Sequence, residues 1–184
     1  MGDDSSVKVK SKKRESAKRT HAFVLLDRTG SMADRWSEAV SSVNAYVDGL
    51  KKARGNPRIT FVAFDRTDKT NFDILRETTV SEWKPFLKEE ISPRGTTPLL
   101  DATMRLISLA KDDSPDRASI VVMTDGQENA SSETTKDAVK KAIEDAEKRG
   151  WQTVFLGIDF DAIADKGGTG GIGPAPAPPV PRER

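Results

Sequence analysis

The sequence predicts an α/β fold: a three-layer α/β/α sandwich around a mostly parallel central sheet with one antiparallel edge strand. Three observations carry that expectation. Short apolar runs alternate with amphipathic stretches between residues 20 and 166, the pattern left by strands joined through helices. The amphipathic stretches repeat their apolar residues at helical spacing, whereas the apolar runs are of strand length. One connection breaks the alternation, because the polar turn DRTDKT at residues 65–70 joins two strand-like runs directly.

Taken in order, His21–Leu26 (HAFVLL) is a buried-strand run that ends abruptly at Asp27. From about Arg35, the apolar residues Trp36, Val40, Val43, Val47 and Leu50 line one helix face until Gly55-Asn56-Pro57 stops it. Arg58–Phe64 (RITFVAF) is the second strand. The turn DRTDKT then leads into Asn71–Leu75, an antiparallel edge strand in a hairpin. Thr97-Pro98 resembles an N-cap with proline at the first helical position, opening a helix through about Ala110 with Leu99, Leu106 and Leu109 inward. Ala118–Met123 is the next buried strand. Thr134 with Asp137 resembles a capping box ahead of Val139, Ala142, Ile143 and Ala146, with Lys and Glu on the other face. Gly150 ends that helix, and Thr153–Ile158 (TVFLGI) is the fifth strand.

At 184 residues and 35% apolar content, the chain suits one ordinary domain with a buried core. Residues 20–166 are expected to form it. Residues 1–19 read as a disordered basic arm, since the first twenty positions hold seven basic and three acidic side chains and little apolar surface. Residues 167–184 read as a disordered tail, because 167–181 (GGTGGIGPAPAPPVP) contain five glycines and five prolines. The remainder of the chain is slightly acidic, so the folded part is not a basic nucleic-acid reader, although the arm could contact phosphates weakly. The sequence contains no cysteine, which excludes disulfides and thiolate metal sites and fits a reducing, cytoplasmic setting. No stretch has a signal-peptide h-region or membrane-spanning length, and no membrane association is expected.

Three loops fall where ligands sit in open α/β sheets, outside the carboxyl ends of the strands. They are Asp27-Arg28-Thr29-Gly30-Ser31, Gly95-Thr96-Thr97-Pro98 and Thr124-Asp125-Gly126. Carboxylates and hydroxyls are hard donors, so an assembly of Asp27, Thr29, Ser31, Thr97 and Asp125 suits magnesium, or manganese and calcium, better than zinc. The alternation of Asp27, Thr29 and Ser31 lets three side chains of one tight loop converge, with Gly30 relaxing the backbone. Only two of the five are charged, which leaves a dication barely neutralised and still attractive to a further carboxylate.

The segments DRTGSM, GTTPLLDA and VVMTDG resemble, in order and separation, the three loops of von Willebrand factor type A domains. The resemblance covers roughly residues 20–165. It implies a Rossmann-like fold and a metal-ion-dependent adhesion site built from Asp27, Thr29, Ser31, Thr97 and Asp125. The family pattern is Asp-x-Ser-x-Ser, so Thr29 departs from it while keeping the hydroxyl. Thr96-Thr97 stands where a glycine often precedes the threonine; Thr97, beside the proline, is the better match, with Thr96 as the alternative ligand. Family members commonly continue with a further helix and strand, where this chain turns to Gly/Pro sequence at Gly167. What the resemblance implies is a protein-binding module without catalysis, whose ion accepts an Asp or Glu from a partner protein. Intracellular bacterial members, some of them phage-borne, resemble this cysteine-free form more than extracellular receptors do.

Two other function classes start from the same residues. A metal-free structural or interaction domain would hydrogen-bond the loops to one another. A magnesium-dependent phosphatase-like hydrolase could begin with a strand ending in Asp27, but its second aspartate would stand at Thr29, so the acid for the leaving group is missing. A serine hydrolase is excluded by the lone histidine, His21, and the lack of a Gly-x-Ser-x-Gly elbow. Arg28 is expected as a solvated loop charge, Asp65 and Asp68 as hairpin-turn residues, and Asp101 as a helix-start residue favoured by the dipole. Asn129-Ala130-Ser131 matches a glycosylation acceptor but carries no weight in an intracellular reading.

Overall fold

The run behind His21 forms β1 (Thr20–Asp27), buried from His21 to Asp27 because strands cover it on both sides and helices on both faces. The computed structural model to which it belongs describes residues 18–53, 55–125 and 128–157. The expected arm lies outside these apart from Lys18 and Arg19, and the expected Gly/Pro tail lies outside them entirely.

A 3-10 helix at Gly30–Arg35, which the hydrophobic spacing does not signal, leads into α1 (Trp36–Leu50). The inward face of α1 is the expected one: Trp36, Val40, Val43, Val47 and Leu50 are all buried. β2 (Arg58–Arg66) and β3 (Thr70–Thr79) form the hairpin, and β3 is longer than expected at both ends. Their register shifts between Phe61 and Val62, leaving Leu75 as the extra residue of a bulge on the edge strand. A 3-10 turn at Val80–Glu82 follows, and the segment after it buries Trp83 and Phe86. Next come α2 (Leu99–Asp113), β4 (Arg117–Met123), α3 (Lys136–Lys148) and β5 (Gln152–Leu156).

Two helix starts differ from expectation. α2 opens at Leu99 after Pro98 with no side-chain cap from Thr97, because the Thr97 hydroxyl is turned elsewhere. α3 is capped by Thr135, whose hydroxyl accepts from the Ala138 amide at 3.3 Å, so the reciprocal box of Thr134 and Asp137 does not form. Leu109 is only half-buried against the core. Of the expected fifth strand, Ile158 lies outside the described residues.

The sheet order is β3-β2-β1-β4-β5, parallel throughout except for β2 with β3. Alternation along β1 divides the core. Ala22, Val24 and Leu26 face α1 together with Trp83 and Phe86, while Phe23 and Leu25 face α2 and α3. Each fully buried aliphatic or aromatic side chain contributes about 1.5–3 kcal/mol, which fixes the register on which the loop positions depend. Among the described residues, no helix is long and apolar enough to cross a membrane.

At the end of the sheet where β1 begins, His21 is 3% exposed and stacks on Phe23 with ring centroids 3.9 Å apart. Its Nδ1 lies 2.9 Å from Asp113 Oδ2 and its Nε2 lies 2.9 Å from Thr60 Oγ1. Burial pulls the imidazole below its ordinary value of 6.5, although the Asp113 hydrogen bond and charge resist. A depressed histidine contributes stability that is present above its unfolded pKa and lost as pH falls through the folded one. Acidification from about pH 7.5 to about pH 5 should therefore lower the melting temperature of the wild type more than that of a His21→Gln variant. Thermal melts of both in chelator measure the difference; parallel curves would contradict it.

Candidate metal centre

β1 stands between β2 and β4, and the connections that follow β1 and β4 pass through α1 and α3 on opposite faces of the sheet. The crevice at the carboxyl ends of such neighbouring strands is where open α/β sheets bind ligands. Asp27 ends β1, Thr124 and Asp125 follow β4, and Thr97 precedes α2.

Asp27 is wholly buried, which demands partners for its carboxylate. Its Oδ1 accepts the Thr29 amide at 2.8 Å, and its Oδ2 accepts the Thr124 hydroxyl at 2.8 Å. Burial pushes the carboxyl up to about 6, the bonds from Thr29 and Thr124 oppose this, and the nearby charge of Asp125 adds to it. The Thr97 hydroxyl donates to Thr29 Oγ1 at 3.0 Å, and Thr29 Oγ1 lies 3.2 Å from Ser31 Oγ. Thr29 and Thr97 are buried, Asp125 is half-buried and Ser31 is exposed. Four of the five candidate ligands thus form one chain of short contacts, and the fifth is close enough for its charge to act on Asp27. Thr96 is directed away: its amide donates to the Arg66 carbonyl at 2.9 Å and its hydroxyl lies 3.3 Å from the same oxygen.

Backbone bonds stitch the first two loops together. Gly30 N–H donates to the Gly95 carbonyl at 3.1 Å, and Arg94 N–H to the Arg28 carbonyl at 2.7 Å. Gly95 has φ +70°, and a Cβ there would run into the Arg66 carbonyl, so only glycine fits the turn that presents Thr97.

Arg28 is not a solvated charge. It is buried, with Nε 3.3 Å from Asp65 Oδ2, Nη1 3.8 Å from Asp73 Oδ2, and Nη2 donating to the Ser92 carbonyl at 3.1 Å. Burial and then the Arg94 charge pull its guanidinium below the ordinary value, while Asp65 and Asp73 resist. Asp65 is likewise not a turn residue; it lies wholly buried within β2 and also holds Arg94 Nε at 3.1 Å and Asn71 Nδ2 at 2.6 Å. Asp68 does occupy the turn, accepting from the Thr67 hydroxyl at 3.0 Å. Asp101 sits in the first turn of α2 as expected, yet it is buried and accepts the Ser132 and Glu133 amides at 2.9 and 3.1 Å. Asn129 of the glycosylation-like triplet accepts the Thr97 amide on Oδ1 at 2.9 Å.

Two contributors escaped the sequence reading. Thr124 orients Asp27, and its only signal was a hydroxyl beside a candidate ligand at a strand end. Glu128 caps α2 from 28 residues away, accepting the Leu100 amide at 2.9 Å, and no local pattern marks it.

The donor set fits a hard divalent cation: two carboxylates and three hydroxyls, all oxygen, at one end of the sheet. Each Asp27 oxygen keeps a lone pair beyond the bond it already accepts. Among the described residues, no three His, Asp or Glu side chains gather as a possible metal site.

Thr124→Val keeps the shape but removes the bond to Asp27 Oδ2. The expected cost is about 1–3 kcal/mol of stability, read by denaturant unfolding in chelator; an unchanged midpoint would show that the bond does not support the buried carboxylate.

The family model of the von Willebrand factor type A domain matches residues 23–170, and no curated protein matches the chain. The pilus adhesin SpaC from Lactobacillus rhamnosus GG, in an open conformation, is 11% identical with a TM-score of 0.60; the match covers 78% of this chain and 24% of that one. A von Willebrand factor type A structure from Catenulispora acidiphila is 15% identical with a TM-score of 0.59, covering 81% of this chain and 37% of that one. The manganese-loaded TRAP protein of Plasmodium vivax is 16% identical with a TM-score of 0.54, covering 84% of this chain and 66% of that one. The chain spans less than two thirds of the length of each. At these identities the structural likeness establishes the fold. With the family match running from β1 past β5, the chain belongs to the von Willebrand factor type A domain family.

Proposed function

We propose that the protein is a metal-ion-dependent protein-binding module. A divalent ion, magnesium or else manganese or calcium, is held by Asp27, Thr29, Ser31, Thr97 and Asp125. Its open position accepts an Asp or Glu side chain from a partner protein. The observation that carries this reading is the run of contacts from Asp27 through Thr29 to Ser31 and Thr97, with Asp125 beside it, on loops separated by up to 98 positions in sequence. The manganese carried by the TRAP structure and the adhesin description of SpaC support it by family likeness. The cysteine-free sequence supports a cytoplasmic setting.

No catalysis is part of the proposal. A phosphatase-like reaction would need an acid at position 29, which is threonine. The metal-free structural module is favoured by one specific observation: the Thr97, Thr29 and Ser31 hydroxyls can satisfy one another.

Heat separates the two. Magnesium or manganese at a hundred times its Kd should add about 2.7 kcal/mol to the native state, raising the melting temperature by roughly 5–10 °C. Asp27→Ala should abolish the shift. A wild-type melting temperature indifferent to both ions would favour the structural module. For the partner, capture from native lysate should disappear in chelator, and a purified partner should lose affinity when one acidic residue is replaced by its amide. Capture unaffected by chelator would contradict the metal bridge.

A further inference from the structure

The N-terminus of α2 faces the loop after β4, and carboxylates join the two in both directions. From the loop, Glu128 Oε2 accepts the Leu100 amide at 2.9 Å and the Ser131 hydroxyl at 2.7 Å. Its Oε1 accepts the amides of Ala130 and Ser131 at 3.0 and 2.7 Å, and Ser131 Oγ in turn accepts the Asp101 amide at 3.1 Å. From the helix, the buried Asp101 carboxylate accepts the amides of Ser132 and Glu133 at 2.9 and 3.1 Å. Between them, Asn129 pairs with the Thr97 backbone in both senses: Oδ1 accepts Thr97 N–H at 2.9 Å, and Asn129 N–H donates to the Thr97 carbonyl at 3.2 Å.

We infer that Glu128 and Asp101 are positioning residues of the proposed metal centre, forming a reciprocal clamp that fixes residues 128–133 against the start of α2, where Asn129 holds the backbone of the proposed ligand Thr97. This rests on the metal-binding reading above. Asn129 and Thr97 belong to segments joined covalently only through the whole of α2 and β4, so bonds across the gap, and not chain continuity, hold the pair together. Without the clamp, an ion would have to order the Thr97 segment on binding and its affinity would fall accordingly. The two Glu128 oxygens each accept two hydrogen bonds and Asp101 holds two backbone amides, so these residues act through the backbone they hold.

The test is Mn2+ uptake by the full chain, stripped with chelator and titrated by the electron paramagnetic resonance signal of free Mn2+. Glu128→Ala and Asp101→Asn should each weaken binding by about 10- to 100-fold. Glu128→Gln, which keeps one acceptor oxygen, should lose less than Glu128→Ala. The control is Thr135→Ala, which removes the cap of α3 outside the clamp; it should lower the melting temperature yet leave Mn2+ affinity within about two-fold. Wild-type affinity in Glu128→Ala, or an equal loss in Thr135→Ala, overturns the inference while leaving the metal site standing. If Asp101→Asn does not fold, the Glu128 pair decides. A wild-type chain that takes up no Mn2+, or an Asp27→Ala variant that binds as the wild type does, overturns the metal reading and the clamp's role with it.

Discussion

A carboxylate wholly buried at the end of the central strand constrains everything around it. Asp27 cannot sit there without hydrogen-bond donors, and its two come from different directions: the Thr29 amide, two residues on, and the Thr124 hydroxyl at the end of the adjacent strand. The first requires the chain to turn immediately after β1. The second requires β1 and β4 to hold the register in which Leu26 pairs with Met123. A slip of one residue would carry Thr124 a strand step of about 3.3 Å and turn its side chain to the other face. The apolar layers on both sides of the sheet prevent that slip, so core packing is the indirect support of a polar centre.

The second loop is held by other means. Arg66 at the end of β2 bridges Thr96 through both backbone groups at 2.9 Å, while its side chain reaches the Ala130 carbonyl at 2.7 Å. Arg28 and Arg94 share the buried Asp65 carboxylate. Burying such a group commonly gains little stability over apolar packing, but removing one partner strands a charge. Here the pairing links β2 to the loops carrying Thr29 and Thr97, and its consequence is geometric: three segments distant in sequence share one arrangement.

The strands and the inward face of α1 were legible because burial on a sheet or helix imposes a period that the sequence displays directly. The three loops were legible for a related reason, since hydroxyls and aspartates at strand ends stand out against apolar runs. What the sequence concealed was long-range polar pairing. Arg28 and Asp65 each look like loop residues locally, and their partnership spans 37 positions. Thr97 followed by proline looks like a helix cap, but its hydroxyl goes to Thr29 and the cap comes from Glu128. Trp83 and Phe86 fill the α1 side of the core from a stretch with no helical or strand period, which local pattern gives no means to place.

That same displacement bears on how the centre would meet a partner. A helix N-terminus ordinarily offers unsatisfied amides and a partial positive charge to an anion. At α2 the Leu100 and Asp101 amides already bond Glu128 and Ser131, and the Asp101 carboxylate sits in the first turn. The protein's own acids have therefore taken the place a partner carboxylate could otherwise occupy. On the proposed reading, attraction for an incoming acid then rests chiefly on the ion, whose two carboxylate and three hydroxyl ligands leave it close to neutralised but still electrophilic. Recognition on that reading would depend on the metal more than on the helix terminus, whose Leu100 and Asp101 amides are already bonded.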